Sequence, residues 1–282
     1  MPFPDPSPRT HETTDAQRDE TKRQESPCSF FFAQGQSLVL ASKYFKDERL
    51  VDRARGGVAG KHRHRNSLAL YGQMLATFEY MLKDFIAKVI DSCGAFDEKI
   101  QKCKWIEVDA GRVLASRTVA ATPGSILIHP TLGWHYPETV NIRYQELFSH
   151  QAIDSSEIST LKKLWILRHS VAHNAGFVTH HDASRLGIPA LSERTVDIDG
   201  EFISEAFDFL CPIAERVATV IGDKILLLWL STLVPLGANF TRDEEAYIRI
   251  KKLASYVASR TQELPAFSNT DYNTDFLRAA TL

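Results

Sequence analysis

The sequence predicts a mainly α fold, a helical bundle with an irregular insert, and three observations predict it. Apolar residues between Leu68 and Val89 recur at alternating spacings of three and four, which places one continuous apolar stripe on an α-helix. Further helical segments flank this one on both sides, whereas strand-like alternation is confined to short stretches. The 282-residue chain is 44% hydrophobic and 24% charged, a composition that excludes wholesale disorder.

Charge and cysteine content exclude several classes of protein. The chain has 33 basic and 35 acidic residues, a net charge of −2, so any nucleic-acid contact needs a local basic patch. The four cysteines form no C-x-x-C pair, which argues against a zinc ribbon or a disulfide framework. The N-terminus lacks the apolar stretch of a secretory signal, and the apolar run 225–236 is shorter than the roughly 20 residues of a membrane span. We therefore expect a cytoplasmic protein with no membrane partner.

The N-terminal third is predicted to comprise a tail and two helices. Residues 1–28 are polar and proline-rich and are predicted to be disordered. Residues 29–262 are predicted to form a single α-helical domain whose first helix begins at Ser29 and ends at Gly56–Gly57. The striped helix follows, with Ser67 as its N-cap and its end near Asp91.

The next segment, residues 94–136, is predicted to be an irregular insert. It contains a short helix over 96–104 and two stretches of strand-like alternation, 105–119 and 125–132. After the insert, Pro137 precedes a predicted helix over 138–152.

The remaining chain is predicted to be largely helical. A helix begins at Ser155 or Ser156 and ends at Gly176. Asp199-Gly200, flanked by alternating residues, predicts a short hairpin. Ser204 is predicted to cap a long apolar helix that Pro212 kinks or divides. The prediction ends with a C-terminal helix over 243–260 and a loose tail over 263–282.

The stretch 167–176, LRHSVAHNAG, carries the most informative polar residues. The positions of Leu161, Trp165, Arg168 and Ala172 follow a spacing of four, three and four, which is typical of the buried face of a helix. Arg168 therefore occupies a position where this pattern predicts an apolar side chain. An unpaired buried guanidinium costs several kcal/mol. Arg168 therefore pairs with a core carboxylate such as Glu79, extends to solvent at the bundle edge, or faces a cleft that binds phosphate.

His173 and Asn174 lie near the end of the same predicted helix. His173 follows Arg168 by five residues, about 140° around the helix, so the two side chains converge only if the last turn loosens. Arginine binds phosphodiesters bidentately, histidine transfers protons near neutral pH, and asparagine both donates and accepts hydrogen bonds. These residue types together indicate phosphate chemistry.

The Arg-x4-His spacing of Arg168 and His173, followed directly by Asn174, resembles the signature of the HEPN superfamily. The striped helix before it and the long helix after it are also similar, so the resemblance covers a core of about 66–235. It implies a metal-independent endoribonuclease, usually a homodimer, from a toxin–antitoxin or phage-defence setting. The expected partners are RNA, a second copy of the chain, and an antitoxin or nucleotidyltransferase. No cofactor is expected.

The resemblance also implies a role for each motif residue. The neighbouring 2′-hydroxyl of RNA is the nucleophile, and His173 acts as general base or general acid. Arg168 stabilises charge on the phosphate in the transition state. Asn174 orients the histidine or holds a phosphate oxygen, and His169 has a supporting role.

A basic run precedes the striped helix. Five Lys or Arg residues and no acid lie between Arg53 and Arg65. Lys61, Arg63 and Arg65 are the predicted substrate-binding residues, since local positive charge attracts RNA phosphates. The alternative interpretation is a solvated basic loop.

Two other functions stay open at this point. The first is a non-catalytic HEPN-like module that binds nucleotides or proteins and dimerises, in which Arg168 pairs with an internal carboxylate. The second is a metal-dependent hydrolase that uses His169 and His173, which have the i, i+4 spacing of zinc-binding helices. The residue after His169 is Ser170 rather than glutamate, and no third ligand is evident, so no metal is predicted.

Overall fold

The structure is a computed structural model that describes residues 26–44, 58–106, 113–114, 122–128 and 133–233. It is mainly α, which confirms the predicted fold class. Its helices are α1 (Pro27–Tyr44), α2 (Val58–Ser92), α3 (Asp97–Lys102), α4 (Pro123–Leu127), α5 (Pro137–Phe148), α6 (Ser155–Asn174), α7 (His180–Leu186), α8 (Gly200–Arg216) and α9 (Gly222–Leu233). Most of the predicted N-terminal tail, the 243–260 helix and the 263–282 tail lie outside the described residues.

Helix α2 is the centre of the bundle and contacts α1, α4, α6 and α8. Every member of the predicted stripe is buried: Leu68, Tyr71, Leu75, Phe78, Leu82, Phe85 and Val89. Buried tyrosine hydroxyls tie this core to neighbouring helices, since Tyr71 donates to the Leu164 carbonyl at 2.7 Å. Tyr144 likewise donates to the Leu82 carbonyl at 2.9 Å. These bonds fix α6 and α5 along α2.

The start of α2 corrects the sequence prediction. The helix begins at Val58, and Ser67 is a buried residue inside it rather than its N-cap. Lysine and arginine are good helix formers, so the basic run 61–65 continues the helix instead of forming a loop. The predicted end near Asp91 is confirmed by the observed end at Ser92.

The described part of the insert contains short helices and non-helical segments, and no strand. Helix α3 confirms the predicted short helix, but the strand predicted over 125–132 is wrong in its described part, because Pro123–Leu127 forms α4. Residues 129–132 lie outside the described residues. Thr122 caps α4 by accepting the Ser125 N–H at 3.3 Å, and Pro123 occupies the first turn. Most of the stretch 105–119 lies outside the described residues.

The hairpin predicted at Asp199-Gly200 is also wrong. Asp199 caps α8 by accepting the Phe202 N–H at 2.9 Å, so Gly200 is the first helical residue and Ser204 lies within the helix. The antiparallel strand pair is found instead between β1 (Phe177–Val178) and β2 (Arg194–Thr195).

Helix α8 passes through Pro212 without being divided there. The departure from α-helical geometry comes later, as a π-helical turn over Val217–Ile221 that leads directly into α9. None of the helices in the described ranges has the length and apolar character to cross a membrane.

Candidate functional site

The start of α6 is fixed by a cluster of charged residues. Glu157 accepts the Asp154 N–H at 2.8 Å, the reciprocal half of a capping box. Arg216 of α8 binds both carboxylate oxygens of Glu157, at 2.8 and 2.9 Å, and a carboxylate oxygen of Asp154 at 2.9 Å. Burial opposes ionisation of Glu157, but the hydrogen bonds from Arg216 and Asp154 outweigh it and lower the pKa of this carboxyl. Helix α6 is thereby anchored to α8.

The end of α6 is where the sequence predicted it. Ala175 and Gly176 adopt left-handed backbone conformations, with φ of 52° and 87°, and the Gly176 N–H donates to the Ser170 carbonyl at 3.0 Å. A Cβ at residue 176 would lie 3.0 Å from Leu68, so glycine suits both the conformation and the space. The motif residues therefore occupy the final turns of a helix with a defined stop.

The inner face of the motif is held by a buried carboxylate. Asp182 is 5% exposed and accepts the Thr179 hydroxyl at 3.0 Å. Ser170, within the motif and fully buried, lies with its hydroxyl 3.5 Å from the same carboxylate. This contact connects α6 to α7 and leaves the outer face of the motif facing solvent.

On that outer face, Arg168, His169 and His173 line one open groove of about 810 Å³. The two imidazoles are exposed, and their ring centroids lie 4.6 Å apart. The sequence predicted that Arg168 and His173 meet only if the last turn loosens. The helix remains regular to Asn174, and the groove instead extends far enough around α6 to include both side chains.

Arg168 is half-buried and has no ion pair with any carboxylate of the described residues. The carboxylate suggested by the sequence, Glu79, instead pairs with Lys83 at 3.1 Å. Arg168 also lines two neighbouring concavities, one beside Glu79 and one beside His64 and Arg65. Its position is the bundle edge, where several surface depressions meet.

The rest of the groove is rich in cations. Its other charged lining residues are Lys162, Lys163, Arg185 and Glu138. Lys162 pairs with Glu138, and Arg185 lies 3.9 Å from Asp182. Lys163 has no ion pair within the described part of the chain. The lining therefore carries a surplus of positive charge.

Two aromatic side chains reach the groove from the segment before α5. His135 and Tyr136 are both exposed, with ring centroids 4.4 Å apart. Partial burial lowers the pKa of His135, and the charges of Arg168, His169 and Lys83 lower it further against the opposing effect of Glu79. His135 is thus biased toward the neutral imidazole.

The other predicted site residues lie outside this groove. Asn174 is half-buried and is not among the groove's lining residues. Arg63 is exposed on α2, and Arg65 shares the neighbouring concavity with Arg168. Lys61 belongs to α2, but its side chain is outside the described part of the structure.

The sequence analysis missed His135, Tyr136 and the groove cations. A signal for Lys162 was present, because a mostly polar face of α6 follows spacings of three, four, three and four. This face comprises Ser159, Lys162, Ile166, His169 and His173, all of which line the groove. No comparable local signal marks His135, which precedes a different helix.

The two motif histidines are not part of a metal-ligand cluster in the described structure. No group of three His, Cys, Asp or Glu side chains suited to a metal ion occurs among the described residues. A zinc site needs at least three protein ligands. The metal-dependent alternative thus gains no support from this geometry.

No family model, no curated protein and no solved structure shows significant similarity to this chain.

Proposed function

We propose that this protein is a metal-independent endoribonuclease of HEPN type that cleaves RNA by attack of the 2′-hydroxyl. One observation carries the proposal: Arg168, with no carboxylate partner among the described residues, shares an open groove with His169 and His173. A half-buried guanidinium without an internal counter-ion is available for an anionic ligand. The non-catalytic alternative required this arginine to be paired internally.

The charge of the groove suits a phosphodiester. Lys162, Lys163, Arg168 and Arg185 contribute positive charge, against Glu138 alone among the acidic lining residues. Positive charge in a concave site concentrates polyanions there. The chain as a whole has a net charge of −2, so this attraction is local to the groove.

The proposed chemistry assigns the motif residues to distinct steps. His173 moves a proton as general base or general acid, and His169 supports it. Arg168 stabilises the negative charge that develops on the phosphate oxygens. Asn174, at the end of α6 and outside the groove, orients His173. The products are a 2′,3′-cyclic phosphate and a 5′-hydroxyl.

The resemblance to the HEPN superfamily also supports a biological setting. The protein is then a cytoplasmic homodimer that acts as a toxin or phage-defence effector, with an antitoxin or nucleotidyltransferase as the partner that controls it. Size determination in solution tests the dimer separately from the chemistry.

The proposal is tested by RNA cleavage in EDTA with wild type, Arg168→Ala and His173→Ala. His181→Ala and Arg194→Ala are matched controls, because both residues are exposed and lie outside the groove. We expect cleavage by wild type and both controls, loss of cleavage in both motif variants, and 2′,3′-cyclic phosphate ends.

Two results would contradict this proposal in different ways. Binding of RNA without cleavage by folded wild type indicates the non-catalytic module. Cleavage that EDTA abolishes and added zinc restores indicates a metal-dependent hydrolase.

A further inference from the structure

The segment before α5 presents His135 to the groove in a fixed position. Trp134 is fully buried and anchors the chain immediately before His135. Arg143 of α5 packs over the Trp134 ring, 4.6 Å from its centroid, and donates to the Gly133 carbonyl at 2.8 Å. Pro137 then begins α5. His135 therefore lies between a buried anchor and a helix start.

His135 lies among the charged groups of the proposed catalytic site. Arg168 and His169 of α6, and Glu79 and Lys83 of α2, are the charged or titratable groups that act on it. Partial burial, together with the surrounding cations, favours the neutral imidazole against the opposing charge of Glu79, and a neutral imidazole can accept a proton. His169 and His173 line the same groove from the neighbouring helix.

We infer that His135 is the general base of this site, a catalytic residue contributed from outside the helix that carries the Arg-x4-His motif. The inference rests on the proposed function and refines it, because His173 then acts as the general acid. The base and the acid of the reaction thus come from two elements of the same chain.

A ring nitrogen of His135 takes the 2′-hydroxyl proton while the 2′-oxygen bonds to phosphorus. The bond from phosphorus to the 5′-oxygen breaks, and His173, as imidazolium, gives its proton to that oxygen. Arg168 stabilises the charge on the non-bridging oxygens throughout. Proton exchange with water then restores both histidines.

The test compares His135→Gln and His173→Ala on two RNAs with the full chain. The first RNA is unmodified, and the second carries sulfur in place of the 5′-bridging oxygen at the cleaved linkage. Sulfur is a good leaving group and needs no general acid. On unmodified RNA, both variants are expected to lose on the order of 10²–10⁴-fold in rate.

The sulfur-containing RNA separates the two roles. It is expected to restore cleavage by His173→Ala and to leave His135→Gln impaired. His135→Gln is also expected to bind RNA and unfold thermally like wild type, and to lose the limb of the pH–rate profile that rises with pH. His181→Gln is the matched control, since it makes the same change at an exposed histidine outside the groove and retains full cleavage.

The outcomes distinguish a failure of the role inferred for His135 from a failure of the proposed endoribonuclease function. Full activity of His135→Gln, or its rescue by the sulfur leaving group, would overturn the inference while the ribonuclease proposal stands. No cleavage by folded wild type on any RNA would overturn both. If the His135→Gln variant does not fold, the same measurements are made on His135→Asn and judged by the same criteria.

Discussion

The two ends of α6 use arginine in opposite ways. At its start, Arg216 binds Glu157 and Asp154 and also donates to the Ala152 carbonyl at 3.1 Å. Near its end, Arg168 has no carboxylate partner among the described residues and lines a groove with two exposed histidines. The partners of an arginine, more than its burial, thus separate a stabilising role from a ligand-binding one.

The largest expected effect is on catalysis, in Arg168→Ala. Loss of a group that stabilises transition-state charge is expected to lower kcat/KM by about 10²–10³-fold. Because Arg168 has no ion pair to lose among the described residues, the free energy of unfolding should change by no more than about 0.5 kcal/mol. Cleavage kinetics and urea unfolding measure the two quantities. A destabilised Arg168→Ala variant that cleaves RNA normally would contradict this prediction, because Arg168 would then have the stabilising role assigned to Arg216.

The second effect is on stability, in Arg216→Met. This change removes hydrogen bonds to two carboxylates and leaves them without their cation, which should cost about 1–3 kcal/mol. The folded fraction of Arg216→Met is expected to cleave RNA at the wild-type rate, because Arg216 is outside the groove. Arg194→Met, on an exposed strand, controls for the loss of an arginine.

A smaller effect should separate two adjacent lysines of the groove. Lys163→Gln is expected to weaken RNA binding several-fold and to reduce the slope of log affinity against log salt by about 0.7–0.9, as for one lost phosphate contact. Lys162→Gln should change the slope less, since Glu138 already pairs with this lysine. Binding titrations across salt concentrations measure both slopes. Equal slopes for the two variants would show that the ion pair with Glu138 does not reduce the contribution of Lys162 to phosphate binding.

The smallest effect concerns pH. The pKa of Glu157 is lowered in the folded state, so the stabilisation from its ionised form is present above its unfolded pKa near 4.5. It is lost as the pH falls through the lower folded value. Between about pH 5 and 3, wild type should therefore lose stability more steeply than Glu157→Gln. Thermal melts across this range test the difference, and parallel curves would contradict it.

The elements predicted from sequence are those that local patterns determine. The stripe from Leu68 to Val89 is a property of one helix, and the structure buries all of it. Gly176 ends α6 because a left-handed residue is needed there, a requirement visible in the sequence. Asp199-Gly200 was ambiguous, because the same pair suits a hairpin turn and a helix N-cap. Only packing of α8 decides between them.

The candidate site could be predicted only in part for the same reason. His169 and His173 are four residues apart on one helix, so their proximity follows from its period. Arg168 lies on another side of this helix and shares the groove only because the groove extends around α6. His135 reaches the groove through tertiary packing, because Trp134 is buried and Arg143 holds the backbone beside it. Contacts between segments that are distant in sequence leave no local pattern to detect.

The central claim is that the 2′-hydroxyl of RNA is the nucleophile in this groove. The most direct measurement is single-turnover cleavage, in EDTA, of an RNA with a mapped cleavage site and of the same RNA with one 2′-deoxy residue there. We predict that the single deoxy substitution abolishes cleavage at that linkage and leaves binding intact. Continued cleavage of the deoxy linkage would contradict the account, because the nucleophile would then be water.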